Sequence, residues 1–563
     1  MNFKNKYVHI FFVLILFLIT SCNKKETLFT NLESKQTGID FSNTLTSTPK
    51  LNILNYLYFY NGAGVAVADF NNDGLDDLYF TGNEVADKLY LNKGKLQFED
   101  ITKKVGIKND KPWTTGVTTV DINNDGLLDI YVCKVGNYNT ISGENLLYVN
   151  QGIKNGIPLF KEQAADYGLN FKGFSTQAAF FDYDNDGDLD MFLLNHSVHP
   201  NRTYGNGRKR IEIHQSSGDK LFENSNGKYI DVTSKTGIFQ SKIGYGLGVS
   251  VSDVNNDGYL DIYVGNDFFE NDYLYINQKN KTFKEVISND ITKLGHTTHF
   301  SMGNTINDLN NDGKMDIISL DMLPEDIYTY KTSGLEYPYQ TYEYYLKNGY
   351  SPQFMHNNLH LNFNNNSFNE VGFLSGIAAT EWSWNPLVAD FDNDGFKDVY
   401  ITNGILGATN DMDFINFISN EKIQKRINQG MSEKEMSFIK ELPEKKTTNY
   451  FFKNNADNTY ENITKKWSNS SSSFSNGAIY ADLDNDGDLD IVVNNVNEKA
   501  FVLENKLNNY PDNNNYLKVK FKGNDTNKNA IGAKVDIFNN GKIQSYENML
   551  TRGYLSSVSP TIH

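Results

Sequence analysis

The chain has 563 residues, a formal net charge of −17, 39% hydrophobic residues and 13% aromatic residues. That aromatic content is too high for a disordered chain. No basic stripe offsets the acidity, which argues against nucleic acid as a partner, and two cysteines, Cys22 and Cys133, make no disulfide scaffold.

Residues 1–22 read as a secretory signal rather than as part of the fold. Lys4 and Lys6 precede an apolar run from Val8 to Ile19, too short to span a membrane comfortably. The run ends Ile19-Thr20-Ser21-Cys22, which resembles a bacterial lipobox. The resemblance implies a diacylated Cys22 as mature N-terminus, followed by a short polar tether. Since no second long apolar segment follows, the membrane would be reached by lipid alone. Cys133 lies in an alternating strand and is expected to be an inert core thiol.

From Asp69 onward the pattern D-x-[DN]-x-D-G-x-x-D occurs seven times. In the first loop the oxygens come from Asp69, Asn71, Asp73, the Leu75 carbonyl and Asp77. The second offers Asp121, Asn123, Asp125, Leu127 and Asp129; the third Asp182, Asp184, Asp186, Asp188 and Asp190. The fourth offers Asp253, Asn255, Asp257, Tyr259 and Asp261; the fifth Asp308, Asn310, Asp312, Lys314 and Asp316. The sixth offers Asp390, Asp392, Asp394, Phe396 and Asp398; the seventh Asp482, Asp484, Asp486, Asp488 and Asp490. Donors two residues apart, with a Gly for the sharp turn, wrap hard oxygens around one point and suit Ca²⁺, up to seven ions in all. Asp, Asn and Gly also make plain turns, but seven copies in one register favour metal. An EF-hand is excluded, because its twelfth position would be Phe80, Leu193 or Val493 rather than Glu. The flanks alternate like strands, so the loops join strand to strand.

After each loop comes a strand, then a segment of the form N-x-LYxN such as Lys88–Asn92, then a short strand centred on residues such as Phe98, Phe160 and Tyr229. With the strand before the loop, each unit has four strands, the blade of a β-propeller. The expected fold is all-β: a seven-bladed propeller over 23–510 and a small β-rich module over 515–563. Only six outer strands follow a loop, and Leu28-Phe29-Thr30-Asn31 repeats the outer-strand signature. The N-terminus is therefore expected to pair beside Ala500–Glu504 and close the ring.

Insertions are expected at about 321–354 and 403–445, besides a basic excursion from Asn201. The first is dense in tyrosine, and Tyr339, Tyr342, Tyr344 and Tyr345 are expected on one exposed face for partners or sugars, or else to form a cap. The second carries a helix expected from Asn420 to Lys440. His196 with His199 and His296 with His299 could each feed a metal site, but neither has a third ligand at a known spacing. Glu381 beside Trp382 and Trp384 could be a carboxylate with sugar-stacking rings, or simply the lead into the sixth loop.

The seven Asp loops resemble the FG-GAP/VCBS repeats of integrin-alpha-type propellers, and Gly532-Ala533-Lys534-Val535 with Arg552-Gly553-Tyr554 resembles the ASPIC/UnbV domain. The resemblance implies seven blades, Ca²⁺ in the loops and an extracellular location. It also implies a further segment after His563, so the last module is expected to be incomplete. Together with the lipobox it looks like an outer-membrane lipoprotein of a Bacteroidota-type bacterium, exported to the outer membrane or cell surface. The function expected is a calcium-stabilised binding or scaffold protein for a glycan or an outer-membrane or extracellular protein. The rival is a polysaccharide hydrolase or lyase acting on an insertion-bearing face; no catalytic residue set is recognisable.

Overall fold

The structure is a computed structural model that describes residues 27–108, 113–198, 206–288, 290, 292–334, 338–364, 367–428, 430–510, 514–539 and 541–563. Seven blades, each of four antiparallel strands, form a ring, and the sheet of the first blade carries two further strands. Their inner strands are Val65–Ala68, Thr114–Val120, Ser175–Phe181, Gly246–Ser252, Asn304–Asn307, Ser383–Ala389 and Ser475–Ala481. All seven are buried along most of their length, since each faces a neighbouring blade or the channel. Apolar clusters run from blade to blade, so no blade holds a core alone.

The N-terminal strand Phe29–Asn31 completes the seventh blade, antiparallel to Phe501–Asn505, with Phe29 opposite Asn505 and Thr30 opposite Glu504. Phe29 is fully buried, stacked on Phe451 at 4.7 Å and edge-on to Phe391 at 5.9 Å. Burying such a ring stabilises by roughly 1.5–3 kcal/mol. Gly38 has φ 79°, and a Cβ there would lie 2.2 Å from the Phe98 carbonyl oxygen. Gly106 makes the same approach to Phe160 at 2.4 Å. The outer-strand signature is therefore a packing instruction: the glycine passes beneath the next blade.

The insertions after Asn195, Ser319 and Asn403 all leave second strands and return to third strands. That places them on the face opposite the Asp loops, which join first to second strands. There they share an apolar cluster with residues 45–60 and with Trp113, Phe269 and Trp384. Tyr345 belongs to this cluster, 4.4 Å from the Phe269 ring, which corrects its expected exposure; Tyr339 and Tyr344 are exposed. The expected single helix over 420–440 is instead Glu421–Asn428 and Met436–Ile439, preceded by Met412–Ile418. Gly430 at φ 104° breaks it, and Glu435 accepts the Ser432 amide at 3.1 Å to start the next turn.

The C-terminal module is more tightly joined to the propeller than a separate domain would be. Its hairpin Lys534–Asn539 and Lys542–Glu547 lies on the Asp-loop face, and residues 549–558 run into the central channel. Strand Ser556–Ser557 pairs parallel to Val65–Ala68, extending the first sheet to six strands. This finger also bonds other blades: Val117 N donates to Leu555 O at 3.1 Å, Thr551 Oγ1 to Ala178 O at 2.9 Å, and Arg552 Nη1 to Ile306 O at 2.7 Å. At its tip Tyr554 reaches the capping cluster and donates to Asn61 O at 3.1 Å. No helix among the described residues is long and apolar enough to cross a membrane.

Candidate metal loops and a histidine-lined pocket

Each Asp loop folds around its own carboxylates. Asp69 accepts the amides of Asp73 and Gly74 at 3.0 and 2.8 Å, while Asp73 accepts the amide of Leu75 at 3.0 Å. Asp182 and Asp390 repeat the arrangement with Asp186 and Gly187, and with Asp394 and Gly395. The fourth position, always Asn, takes positive φ (Asn72 at 53°, Asn485 at 61°), a conformation Asn tolerates better than most residues.

The ninth Asp is a brace as much as a candidate ligand. Asp129 Oδ2 accepts Ile122 N at 2.8 Å and its Oδ1 accepts Asn150 N at 2.7 Å, tying the loop start to the third strand. Asp77, Asp190, Asp261, Asp316, Asp398 and Asp490 hold the matching pair of amides. In every blade but the third the partner Asn then reaches the preceding blade, as when Asn150 Nδ2 donates to Phe70 O at 2.9 Å. Burial pushes these carboxyls up, Asp261 and Asp316 to about 8 and Asp190 to about 9.

The fourth-position Asn links the loops to one another. Asn72, Asn185, Asn311 and Asn393 donate to Gly126, Gly258, Gly395 and Gly487 of the following loops, and Asn485 donates to Gly74 of the first at 3.0 Å. Neither this link nor the ninth-position brace was read from the sequence, although the unvarying Asn within the repeat is a visible signal.

Three loops gather three carboxylates within reach of one ion: Asp182, Asp184 and Asp190; Asp390, Asp392 and Asp398; Asp482, Asp484 and Asp486. They are the loops with Asp at the third position. Asp392 Oδ1 and Asp484 Oδ1 are buried without a hydrogen-bond donor, as are Asp188 Oδ1 and Asp488 Oδ1. Burial, and then the neighbouring carboxylates, push Asp188 and Asp484 up to about 6 and Asp488 up to about 8. A divalent cation would satisfy these oxygens, so the donor set fits one. Side-chain ammonium groups already approach: Lys281 lies 2.5 Å from Asp184, Lys453 contacts Asp392, and Lys518 of the C-terminal module contacts Asp482. In the first two loops the third-position amide serves instead, Asn71 Nδ2 and Asn123 Nδ2 donating to Asp73 and Asp125 at 2.9 Å.

The module is seated on this rim. Ser545 N donates to Asp308 Oδ2 at 3.1 Å, Glu547 accepts Asp253 N at 3.2 Å, and His563 Nε2 lies 3.2 Å from Gly487 O. Cys133 is buried and free, and burial pushes its thiol well up, as expected of an inert core thiol. Cys22 and His199 lie outside the described residues.

The other candidate groups separate cleanly. His196 is buried between Tyr56 Oη and Thr176 Oγ1, each 3.2 Å away, and His299 faces Gln353 at 2.8 Å; both are hydrogen-bonded interior residues. Glu381 pairs with Lys445 at 3.1 Å, and Trp384 is fully buried with its Nε1 donating to Gly404 O at 2.8 Å. That segment is core rather than a sugar platform. His296 instead meets His356 at 3.1 Å and Glu370 at 3.8 Å, at the edge of a cavity of about 720 Å³ lined by Tyr330, Tyr339, Tyr342, Phe354 and Phe373. The sequence could not reveal this triplet, because its members sit on three elements that only the fold brings together.

Residues 69–132, 253–319 and 444–493 match the FG-GAP-like repeat, and residues 523–563 match ASPIC and UnbV. The chain is similar to cartilage acidic protein 1 of Homo sapiens, 34% identical over 136 residues, covering 24% of this chain and 20% of that protein. For cartilage acidic protein 1 of Xenopus tropicalis the figures are 28% over 207 residues, covering 36% and 28%. The match thus spans less than a third of these relatives' length. Among solved structures, the chain is similar to the exotype rhamnogalacturonan lyase YesX, at TM-score 0.35 and 12% identity, covering 85% of this chain and 76% of that one. It is likewise similar to the V. cholerae biofilm matrix protein Bap1, at TM-score 0.35 and 12% identity, covering 92% and 99%.

Proposed function

We propose that this seven-bladed propeller of FG-GAP-like repeats, followed by an ASPIC/UnbV-like module, is an exported binding or scaffold protein that Ca²⁺ stabilises. The Asp loops would hold the ions, through the first, third, fifth and ninth side chains and the seventh carbonyl. Residues 1–22 would direct export and Cys22 would carry the lipid, leaving 23–510 and 515–563 at the outer membrane or cell surface. A glycan or an extracellular protein is the proposed partner.

The observation that carries the binding role is the aromatic cavity on the insertion face. Tyr339, Tyr342 and Phe354 present rings beside a space of about 720 Å³, enough for a small ligand or a short stretch of polymer. Tyr342 and Phe354 are stacked at 5.7 Å, a rigid surface for a sugar face or an apolar side chain. The Asp loops lie on the other face, so ions and ligand would not compete for space. The test is a screen of polysaccharides and outer-membrane proteins against the full chain and Tyr339→Ala/Tyr342→Ala. Saturable binding lost in the variant, at unchanged melting temperature, is the expected result. Binding that survives the double substitution would place the ligand elsewhere.

A further inference from the structure

We propose that His296, His356 and Glu370 form a zinc site on the wall of the aromatic cavity, distinct from the Asp loops in chemistry and position. This site stands independently of whether the cavity binds a glycan or a protein.

The fold builds the triplet deliberately. Thr297–Thr298 and Gln353–Phe354 pair in parallel, Thr297 opposite Gln353, and this short bridge fixes His296 and His356 beside each other. Glu370 ends the outer strand Phe368–Glu370 of the fifth blade. The three ligand atoms lie within 4.8 Å of one another. His296 Nε2 is 3.1 Å from His356 Nε2 and 3.8 Å from Glu370 Oε2. Ligand atoms on a tetrahedral zinc ion at about 2.0–2.1 Å are about 3.3 Å apart, so both separations bracket the requirement.

The remaining contacts of His356 and Glu370 are those a metal ligand set would have. His356 Nδ1 lies 2.9 Å from Asn357 O, and when Nδ1 donates to that carbonyl Nε2 presents a lone pair. Glu370 Oε1 accepts Gly372 N at 2.6 Å and Leu359 N at 3.2 Å, leaving Oε2 aimed at the histidines. His356 Nε2 and Glu370 Oε2 thus converge on His296 Nε2. A cation satisfies all three. The outer contacts are those that orient metal ligands, a histidine N–H on a backbone carbonyl and a carboxylate held by amides. Two imidazoles with one carboxylate suit zinc, whereas Ca²⁺ takes oxygen. With three protein ligands, the fourth position faces the cavity, open to water or to an oxygen of the bound ligand.

The test uses the full chain, free of any histidine tag, in saturating Ca²⁺ so that the Asp loops are occupied. Calorimetric titration with Zn²⁺ should give one equivalent, and Co²⁺ in its place should give a tetrahedral visible spectrum. His356→Ala should weaken zinc binding at least about 100-fold, and Glu370→Gln about 10-fold or more, at unchanged Ca²⁺ uptake. Should His356→Ala misfold, Glu370→Gln alone decides, because it keeps the shape. No zinc uptake above the Ca²⁺ background, uptake indifferent to both substitutions, or uptake of Fe²⁺ without Zn²⁺ would overturn the assignment.

Discussion

At the residue scale the repeat separates two jobs that the sequence writes with one letter. The ninth Asp is buried with both oxygens on backbone amides, whereas the third-position Asp of the third, sixth and seventh loops leaves oxygens facing its fellow carboxylates. Asp129→Asn would oppose an amide N–H to an amide N–H and leave both buried donors without an acceptor. The expected cost is about 1–3 kcal/mol in urea unfolding, mostly retained in chelator. Asp184→Ala should instead lose stability mainly when Ca²⁺ is present, and in chelator should be close to neutral. If the Asp129→Asn cost disappears in chelator, the ninth position is a ligand before it is a brace. His196 supplies a pH effect at a site remote from the loops. Burial holds it neutral, down to about 3, while the unfolded chain takes up the proton near 6.5. Unfolding therefore binds the proton, so this contribution to stability is complete above about pH 6.5 and declines as pH falls towards 3, at most about 1.4 kcal/mol per unit. Melting curves from pH 7 to 4.5 should fall less steeply for His196→Gln than for the parent chain; equal slopes would remove His196 from the account.

Among the elements, those with a repeating signature were legible and those defined by a single event were not. Seven loops, their flanking strands and the N-terminal strand of the last blade could all be read, because Phe29 and Gly38 repeat what Phe98 and Gly106 do. The broken helix was hidden by its apolar spacing, which Gly430 interrupts without disturbing the pattern. Tyr345 could not be told from Tyr344, since exposure there depends on Phe269 from another blade. The finger at 549–558 was unreadable for the same reason, as its partners lie hundreds of residues earlier. Deleting residues 23–39 removes Phe29 from its cluster and bares Phe501–Asn505 as an open edge. The truncated protein is expected to aggregate and to melt lower; a monomer with unchanged melting would show that the ring closes without it.

On the scale of the whole molecule, the loops form a circuit. Fourth-position amides join five of the seven loops to the next, Thr526 and Lys534 of the C-terminal module reach Gly187 O and Gly313 O where the Asn link is missing, and Ser545, Glu547 and His563 press on the same rim. Ions that bind the folded loops better than the unfolded chain stabilise by mass action. Chelation should therefore lower the melting temperature and millimolar Ca²⁺ restore it. In a calorimetric titration the loops at Asp182, Asp390 and Asp482 should fill first and empty last, since each offers an additional ligand charge. A chelated, folded protein that takes up no Ca²⁺ would reduce all seven to turns.

The finger has a consequence for how the ring is assembled. It comes late in the sequence, yet it lies against the inner strand of the first blade, so closely that a Cβ on Gly64 would stand 1.7 Å from Leu555 O. A fit that close leaves little room to thread a hairpin through a finished ring. A ring whose first and seventh blades have yet to join would admit residues 549–558 freely, with the N-terminal strand fastening it afterwards. Folding in that order would wait on long-range pairing, which is slow, with exposed edges in the half-made ring meanwhile.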